Sequence, residues 1–337
     1  MVNALPDTRA FSRRRAISIL AGAGTTAAVL GLRGKASAAY QWQGVVLGAR
    51  ADLTLYAIDR GRAAVIIESC LSEVARLEAI FSLHQPESVL SRLNRDGQLT
   101  DPPFEFVELM SIALTLARLS GGRFDPTIQP LWRAFFEHFS SASANPAGPD
   151  AAKVESARAL VDWRRVHVSS RAVVLDAPGM QVTLNGIAQG YISDRIGRLL
   201  ASEGLTRALV NMGETLAIDR NPADDAWRVG IPSPRDRSTL LDRIELHDGA
   251  VATSAGSGLR FDSSGRYNHI MDPTCLACAD PDRSVTVLAS SAAIADGLST
   301  LGAICPDLAA EFTPLLTRFS ARAVIASGAS GKTFRLG

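Results

Sequence analysis

Val182-Thr183-Leu184-Asn185-Gly186-Ile187-Ala188-Gln189-Gly190-Tyr191-Ile192-Ser193-Asp194 is the stretch that decides how this chain folds. An apolar run of strand character, Val182 to Leu184, meets two glycines four apart and then a helical pattern through Ile192, Ile196, Leu199 and Leu200. Backbone amides and carbonyls are thereby expected at a strand-to-helix junction. Glycines let a ligand approach the main chain closely, and the free amides at the positive end of a helix favour an anion. At this level a phosphate cradle and a plain two-glycine turn read alike.

The chain has 337 residues, 47% hydrophobic and 20% charged, enough to bury a large core in one large domain or two. Its formal net charge is +1, but six of its 35 basic residues (Arg9, Arg13, Arg14, Arg15, Arg33 and Lys35) and one of its 34 acidic ones, Asp7, fall in the first 38 positions. The rest holds 29 basic against 33 acidic residues, a net charge of −4. A mildly acidic body lacks the basic face that nucleic-acid binding requires, which excludes that class.

Those first 38 residues read as an address. Ser12-Arg13-Arg14-Arg15-Ala16-Ile17 precedes an uncharged stretch from Ala16 to Leu32, then Arg33, Lys35 and an A-x-A site at Ala36-Ser37-Ala38. The segment resembles a bacterial twin-arginine export signal over residues 1–38, cleaved after Ala38 to release a periplasmic domain spanning 39–337. A membrane anchor fits less well, because the run is short and weakly apolar for a span. The first cysteine is Cys70, so no lipid-attachment cysteine sits at the cleavage site. Cys275-Leu276-Ala277-Cys278 has C-x-x-C spacing without a second pair to complete a zinc site, and reads as a loop feature or a local disulfide. Cys70 reads as a small buried thiol on an apolar helical face.

Along the chain, alternation from Trp42 to Ile58 predicts an opening strand, and spacing over residues 60–81 a core-facing helix. A polar loop leads into a short helix ending near Asp96-Gly97, and a second long helix runs from Phe104 to Leu119, closed by Gly121-Gly122. Strands are expected at Val166–Val168, Val173–Leu175, Val182–Leu184 and Ala208–Met212, then at Trp227–Ile231 and Ile244–Leu246. Strands and helices mix without strict alternation, which argues for an α+β fold over a doubly wound sheet.

Asp296 and Thr300 stand four apart in a helical pattern, so a carboxylate and a hydroxyl share one face; hard oxygens of this kind suit Mg2+, and helix decoration is the bland alternative. His269 lies between a strand-like segment and a proline turn, with Asp272 three residues on. A histidine there can serve as a general base, since its pKa lies near working pH. Asp272 orients that ring or fixes the turn with Pro273. Asp125 and Thr127 read as a proline-turn cap.

Five segments occur in an order that resembles the ApbE family, the FAD:protein FMN transferases. They are Gly122-Arg123-Phe124-Asp125-Pro126-Thr127, the Val182–Asp194 stretch, Ala250-Val251-Ala252-Thr253-Ser254-Ala255-Gly256, Asn268-His269-Ile270-Met271-Asp272-Pro273-Thr274, and Ala292-Ala293-Ile294-Ala295-Asp296-Gly297-Leu298-Ser299-Thr300. The resemblance spans about Trp42 to Cys305. It implies a single ApbE-like, T-fold-related domain with a mixed or antiparallel sheet and flanking helices. It implies Mg2+ held by Asp296, Thr300 and the main-chain carbonyl of Ala188, and FAD as the substrate. FMN would pass to a Thr or Ser hydroxyl of an acceptor flavoprotein, with release of AMP and His269 as base. Asp125 and Thr127 would lie beside the flavin with Ser88, Ser91 and Asn94, Gly186 and Gln189 near the pyrophosphate, and Thr253 and Ser254 against phosphate or ribose. FAD pyrophosphatase activity, or flavin storage and delivery without catalysis, are the alternatives.

The chain also departs from the family pattern. Thr183, Asn185 and Gln189 replace the acid, first glycine and lysine of L-D-L-G-G-I-A-K-G-Y, and Val210-Asn211-Met212-Gly213-Glu214-Thr215 stands where V-N-x-G-G-D is usual. Ala255 and Cys275 each replace a glycine. The L-N-G-I-A-Q-G-Y form resembles the NosX-type accessory flavin transferases of nitrous oxide reductase maturation in denitrification, which implies a membrane-bound, NosR-like acceptor.

Overall fold

Gly190 lets two helices in the molecule's interior approach closely: a Cβ added there would stand 2.2 Å from the carbonyl oxygen of Ala292. The computed structural model describes residues 20–21, 39–56, 58–236, 238–328 and 333–337. Apart from Leu20–Ala21, the 1–38 segment lies outside the described residues. The helices are α1 (Arg60–Phe81), α2 (Val89–Asp96), α3 (Phe104–Leu119), α4 (Gln129–Phe139), α5 (Ala151–Arg158), α6 (Ala188–Ser202), α7 (Ala292–Ile304) and α8 (Leu308–Arg318).

The main sheet runs from edge to edge in the order Leu20–Ala21, Ala39–Val46, Ala49–Tyr56, Ala208–Asn211, Thr215–Ile218, Gly249–Ala255, Ser284–Ala289, Ala321–Ser327 and Thr333–Leu336. Every neighbouring pair in it is antiparallel. Its two faces follow the two-residue period of the strands. Ala250, Ala252, Val285, Val287 and Val324 join the large core beneath α1, α3, α6 and α7, whereas Val251, Leu288, Ala323 and Ile325 meet the hairpin of Trp227–Pro232 and Leu240–Leu246 on the other side. The Ser284–Ala289 strand is buried along its whole length, as a strand covered on both faces must be. The α+β expectation therefore holds, with the main sheet wholly antiparallel.

Two local expectations differ from what is found. The region from Trp42 to Ile58 is a hairpin, turning at Leu47 (φ 45°) and Gly48 (φ 82°). Two consecutive positive φ values suit the right-handed twist of paired strands, and only Gly48 announces such a turn in sequence. Val182–Leu184 forms no strand. The main chain of Val182 is instead closed by the side chain of Asn94, which accepts from its N–H (2.6 Å) and donates to its carbonyl (2.8 Å), while Thr183 N–H donates to Pro126 O (2.8 Å). Cys275 and Cys278 are free thiols, with Cys278 Sγ directed at Asn268 O (3.7 Å), and Cys70 is buried on α1 as expected.

Replacing Gly190 by Ala drives a methyl into the α7 backbone and is expected to cost roughly 3 kcal/mol of stability by urea denaturation. Gly197→Ala meets only the movable end of Leu216, at 2.5 Å, and is expected to cost clearly less.

Candidate active site

Contact between α6 and α7 brings two carboxylates into reciprocal use. Asp194 lies one turn beyond Gly190 on the same face of α6, and its carboxylate caps α7, accepting from Ser291 Oγ (2.6 Å), Ala292 N–H (2.7 Å) and Ala293 N–H (3.0 Å). In the opposite direction, Gly190 N–H donates to Asp296 Oδ2 on α7 at 3.0 Å. Asp296 is only 4% exposed. Burial, reinforced by the charge of Asp194, pushes its carboxyl up to about 7, while the Gly190 hydrogen bond pulls the other way.

One turn further along α7, Thr300 Oγ1 donates to Gly186 O at 3.3 Å and lies 3.3 Å from Ser254 Oγ. Ser254 Oγ also meets Ser299 Oγ at 2.7 Å, and Ser299 Oγ donates to Asp296 O at 2.9 Å. Asp296 and Thr300 thus grip the two ends of Gly186–Gly190, with the buried Ala188 between them. Thr253 is not gathered in by its side chain. Strand alternation turns it to the opposite face, where its hydroxyl meets Thr286 Oγ1 at 2.9 Å.

Several of the other residues singled out in the sequence act as fasteners of this junction. Asp125 accepts from Thr127 N–H (2.8 Å), Thr127 Oγ1 (2.6 Å) and Trp163 N–H (3.0 Å), so the proline-turn cap is realised. Phe124 packs beside Gly186, where an added Cβ would stand 3.4 Å from its ring. Ser88 caps α2, accepting from Ser91 N–H (3.0 Å), and both serine hydroxyls donate to Ser82 O. Asn94 is occupied with Val182. The polar atoms of these residues are engaged within the protein, and Asn94, Pro126 O and Phe124 are the ones that hold the chain entering Gly186–Gly190.

His269 sits on the far side of the loop that follows the Gly249–Ala255 strand. Its Nδ1 lies 3.2 Å from Leu259 O and also accepts from Leu259 N–H at 3.3 Å; the tautomer that donates to the carbonyl is the one that leaves Nε2 as an acceptor. Burial lowers its pKa below 6.5, against the opposing pull of the Leu259 carbonyl, so the imidazole is neutral and basic at neutral pH. Gly258 keeps the ring edge open: a Cβ there would stand 3.1 Å from Cε1 and 3.4 Å from Nε2. Asp272 does not orient the ring. Its Oδ1 accepts from Thr274 N–H (2.8 Å) and Oγ1 (2.6 Å), and its Oδ2 faces Arg123 Nε at 3.4 Å, so of its two expected roles the turn prevails. Arg123 in turn bonds Glu311.

Two further residues complete the site. Gln189 lies over Gly213 (φ 108°), where a Cβ would come within 2.7 Å of its Cδ. Glu214, the next residue, is half-buried; its carboxyl accepts the Thr253 N–H, and desolvation together with the charge of Asp296 raises its pKa above normal. Sequence reasoning noted Glu214 only as a departure from a glycine pattern.

The model of the ApbE family matches residues 47–312. The chain belongs to the ApbE family. Among curated relatives, the FAD:protein FMN transferase of Treponema pallidum is 30% identical over 288 residues, covering 74% of this chain and 76% of the relative. That of Salmonella typhimurium is 27% identical over 273 residues, covering 78% and 77%. Among solved structures, the ApbE protein of Thermotoga maritima superposes with a TM-score of 0.77 at 26% identity, covering 88% of this chain and 96% of that one. The flavin transferase ApbE of Vibrio cholerae reaches 0.75 at 23% identity, covering 89% and 97%. Of the motifs, those of Gly186–Gly190, Ser254 and Asp296–Thr300 meet at the α6–α7 pair, with Phe124 packed beside Gly186.

Because Asp194 satisfies three donors at the head of α7, Asp194→Ala is expected to cost about 3 kcal/mol in urea denaturation, most of it from buried donors left without a partner.

Proposed function

We propose that this ApbE chain is an FAD:protein FMN transferase that requires Mg2+ and joins FMN to a Thr or Ser hydroxyl of a target flavoprotein, releasing AMP. The observation that carries the reading is the grip of Asp296 and Thr300 on the Gly186–Gly190 segment, in a chain whose curated relatives bear that activity in their names.

The donor set fits magnesium. Asp296 is a buried carboxylate, Thr300 a hydroxyl, and the Gly186–Ala188 main chain supplies carbonyls at the start of α6; hard oxygens of mixed kind, completed by substrate phosphate, are what this cation takes. Among the described residues no group of three or more His, Cys, Asp or Glu could hold a metal, so hydroxyl and main-chain oxygens are needed. When bound, Mg2+ offsets the charge that develops on the pyrophosphate. His269 Nε2 takes the proton of the acceptor hydroxyl as that oxygen attacks the FMN-side phosphorus. The bond from that phosphorus to the bridging oxygen breaks, and AMP departs with the electron pair. Asp272 and Arg123 hold the turn that carries His269. Gln189 and Ser254 are assigned as contacts to the substrate.

The twin-arginine pattern of residues 1–38 supports export, with the domain from 39 onward acting in the periplasm. The Asn185 and Gln189 departures support an acceptor of the membrane-bound NosR kind in denitrification.

The full chain, incubated with FAD, Mg2+ and a candidate acceptor domain, is expected to leave covalent flavin fluorescence on the acceptor and free AMP. Free FMN with AMP and no labelling would replace transfer by hydrolysis, and intact bound FAD would replace it by storage. Asp296→Ala is expected to bring labelling to background, and His269→Ala to slow it by roughly 10²–10⁴-fold. With wild-type protein the labelling rate is expected to be level near neutrality. It should fall with acidification through a midpoint below 6.5, because the base form is lost as His269 takes up a proton.

A further inference from the structure

Asn268 stands immediately before His269 and is wholly buried. A buried amide is costly unless its donors and its acceptor all find partners, and here they do. Nδ2 donates to Ala279 O (2.8 Å) and Gly265 O (3.2 Å), and Oδ1 accepts from Ile270 N–H (3.1 Å). The last of these bonds closes an Asx turn from residue 268 to residue 270, whose middle residue is His269. The main chain is fastened on both sides of it: Asn268 forms a β-bridge with Arg260, and Ala279 N–H donates to Ile270 O (2.9 Å). Little slack is left around the amide, since a Cβ at Gly256 would stand 3.0 Å from Asn268 Nδ2 and 2.8 Å from Ala279 O.

These ties matter because of what the His269 ring meets. Its Nδ1 lies 3.2 Å from the carbonyl oxygen of Leu259 and 3.3 Å from the nitrogen of the same residue. The two groups call for opposite tautomers. Donation to the carbonyl places the proton on Nδ1 and leaves Nε2 bare; acceptance from the amide places it on Nε2, which can then take no proton from an acceptor hydroxyl. At nearly equal distances, a small slide of the ring along Leu259 decides which nitrogen is the base. The main chain of His269 is itself anchored to Leu259 O through its N–H (3.1 Å), and the Asx turn fixes the direction in which the ring leaves that anchor.

We propose that Asn268 is the positioning residue of the general base: by clamping the turn that contains His269, it holds Nδ1 on the Leu259 carbonyl and keeps Nε2 free of a proton. The proposal rests on the reading of His269 as base. Nitrogen-15 NMR of the full chain labelled in histidine reports the tautomer without any substrate, the His269 signals being those that vanish in His269→Ala. Wild type is expected to carry its proton on Nδ1. Asn268→Ala is expected to shift a clear share of the ring to the Nε2-protonated form and to lower kcat of acceptor labelling about ten- to a hundredfold, with KM for FAD as in wild type. Asn268→Ser keeps an oxygen for Ile270 N–H and is expected to recover part of both losses; should the alanine variant not fold, the serine variant against wild type decides. Tyr267→Phe loses only the side-chain bond to Ala147 O (2.7 Å) next door, and is expected to lower the melting temperature while keeping the wild-type tautomer and kcat. A proton on Nε2 in wild type, an unchanged tautomer and kcat in the Asn268 variants, or an equal loss of kcat in Tyr267→Phe would each overturn the role of Asn268. If His269→Ala is slow while the Asn268 variants match wild type, the base stands and only Asn268 is removed from its support. If His269→Ala labels at the wild-type rate, the base reading falls and this proposal with it.

Discussion

The site depends on the absence of a side chain at Gly190. With no Cβ there, α6 approaches α7 until the Ala292 carbonyl would lie 2.2 Å from that missing atom, and only at this separation can Gly190 N–H reach Asp296 and Asp194 reach the head of α7. Each helix thus supplies what the other lacks: α7 receives an anion at its positive end, and α6 gives one of its free first-turn amides a carboxylate. Close packing of the main chains and the chemistry of the site are consequences of one constraint, since a wider spacing would leave Asp296 buried with no donor.

The sheet extends that constraint to the other residues. Ser254 and Thr253 are neighbours in sequence but belong to opposite faces, so the strand delivers one hydroxyl to α7 and, from the preceding residue, one amide sideways to Glu214. Antiparallel pairing fixes this register: Val251 stands opposite Thr215, which leaves Glu214 just beyond the last paired residue, where a side chain can take the place of a strand partner. The hairpin of Trp227–Pro232 and Leu240–Leu246 covers the opposite face and keeps the sheet apolar on both sides, so the register cannot slip without exposing it.

What the sequence disclosed follows from how local each signal is. The helices at 60–81 and 104–119 were legible because apolar spacing over several turns is a local record of burial, and Asp296 with Thr300 was legible because four-residue spacing needs only a helix to become a shared face. The Leu47–Gly48 turn was not, since leucine gives no sign of a positive φ. Val182–Leu184 has the apolar character of a strand, and what denies it that state is Asn94, 88 residues away, whose side chain takes up both main-chain groups of Val182. Asp272 was ambiguous for the same reason: Arg123, which settles its role, is brought to it only by the fold. Glu214 could be seen as a departure from a pattern, but not as a neighbour of Asp296.

That last case shows where departures from a family pattern become informative. Asn185, Gln189 and Glu214 look like unrelated substitutions along the chain, yet Gln189 rests on Gly213 and Glu214 follows it directly, so two of the three share one patch of space. A lysine at 189 would place a positive charge over Gly213; glutamine covers the same turn with an uncharged amide. The turn is then held by packing and by hydrogen bonds, Gly213 N–H to Asn211 Oδ1 and Ser193 Oγ to Glu214 O, so a change on α6 and a change in the turn between two strands amount to one adjustment of a shared contact.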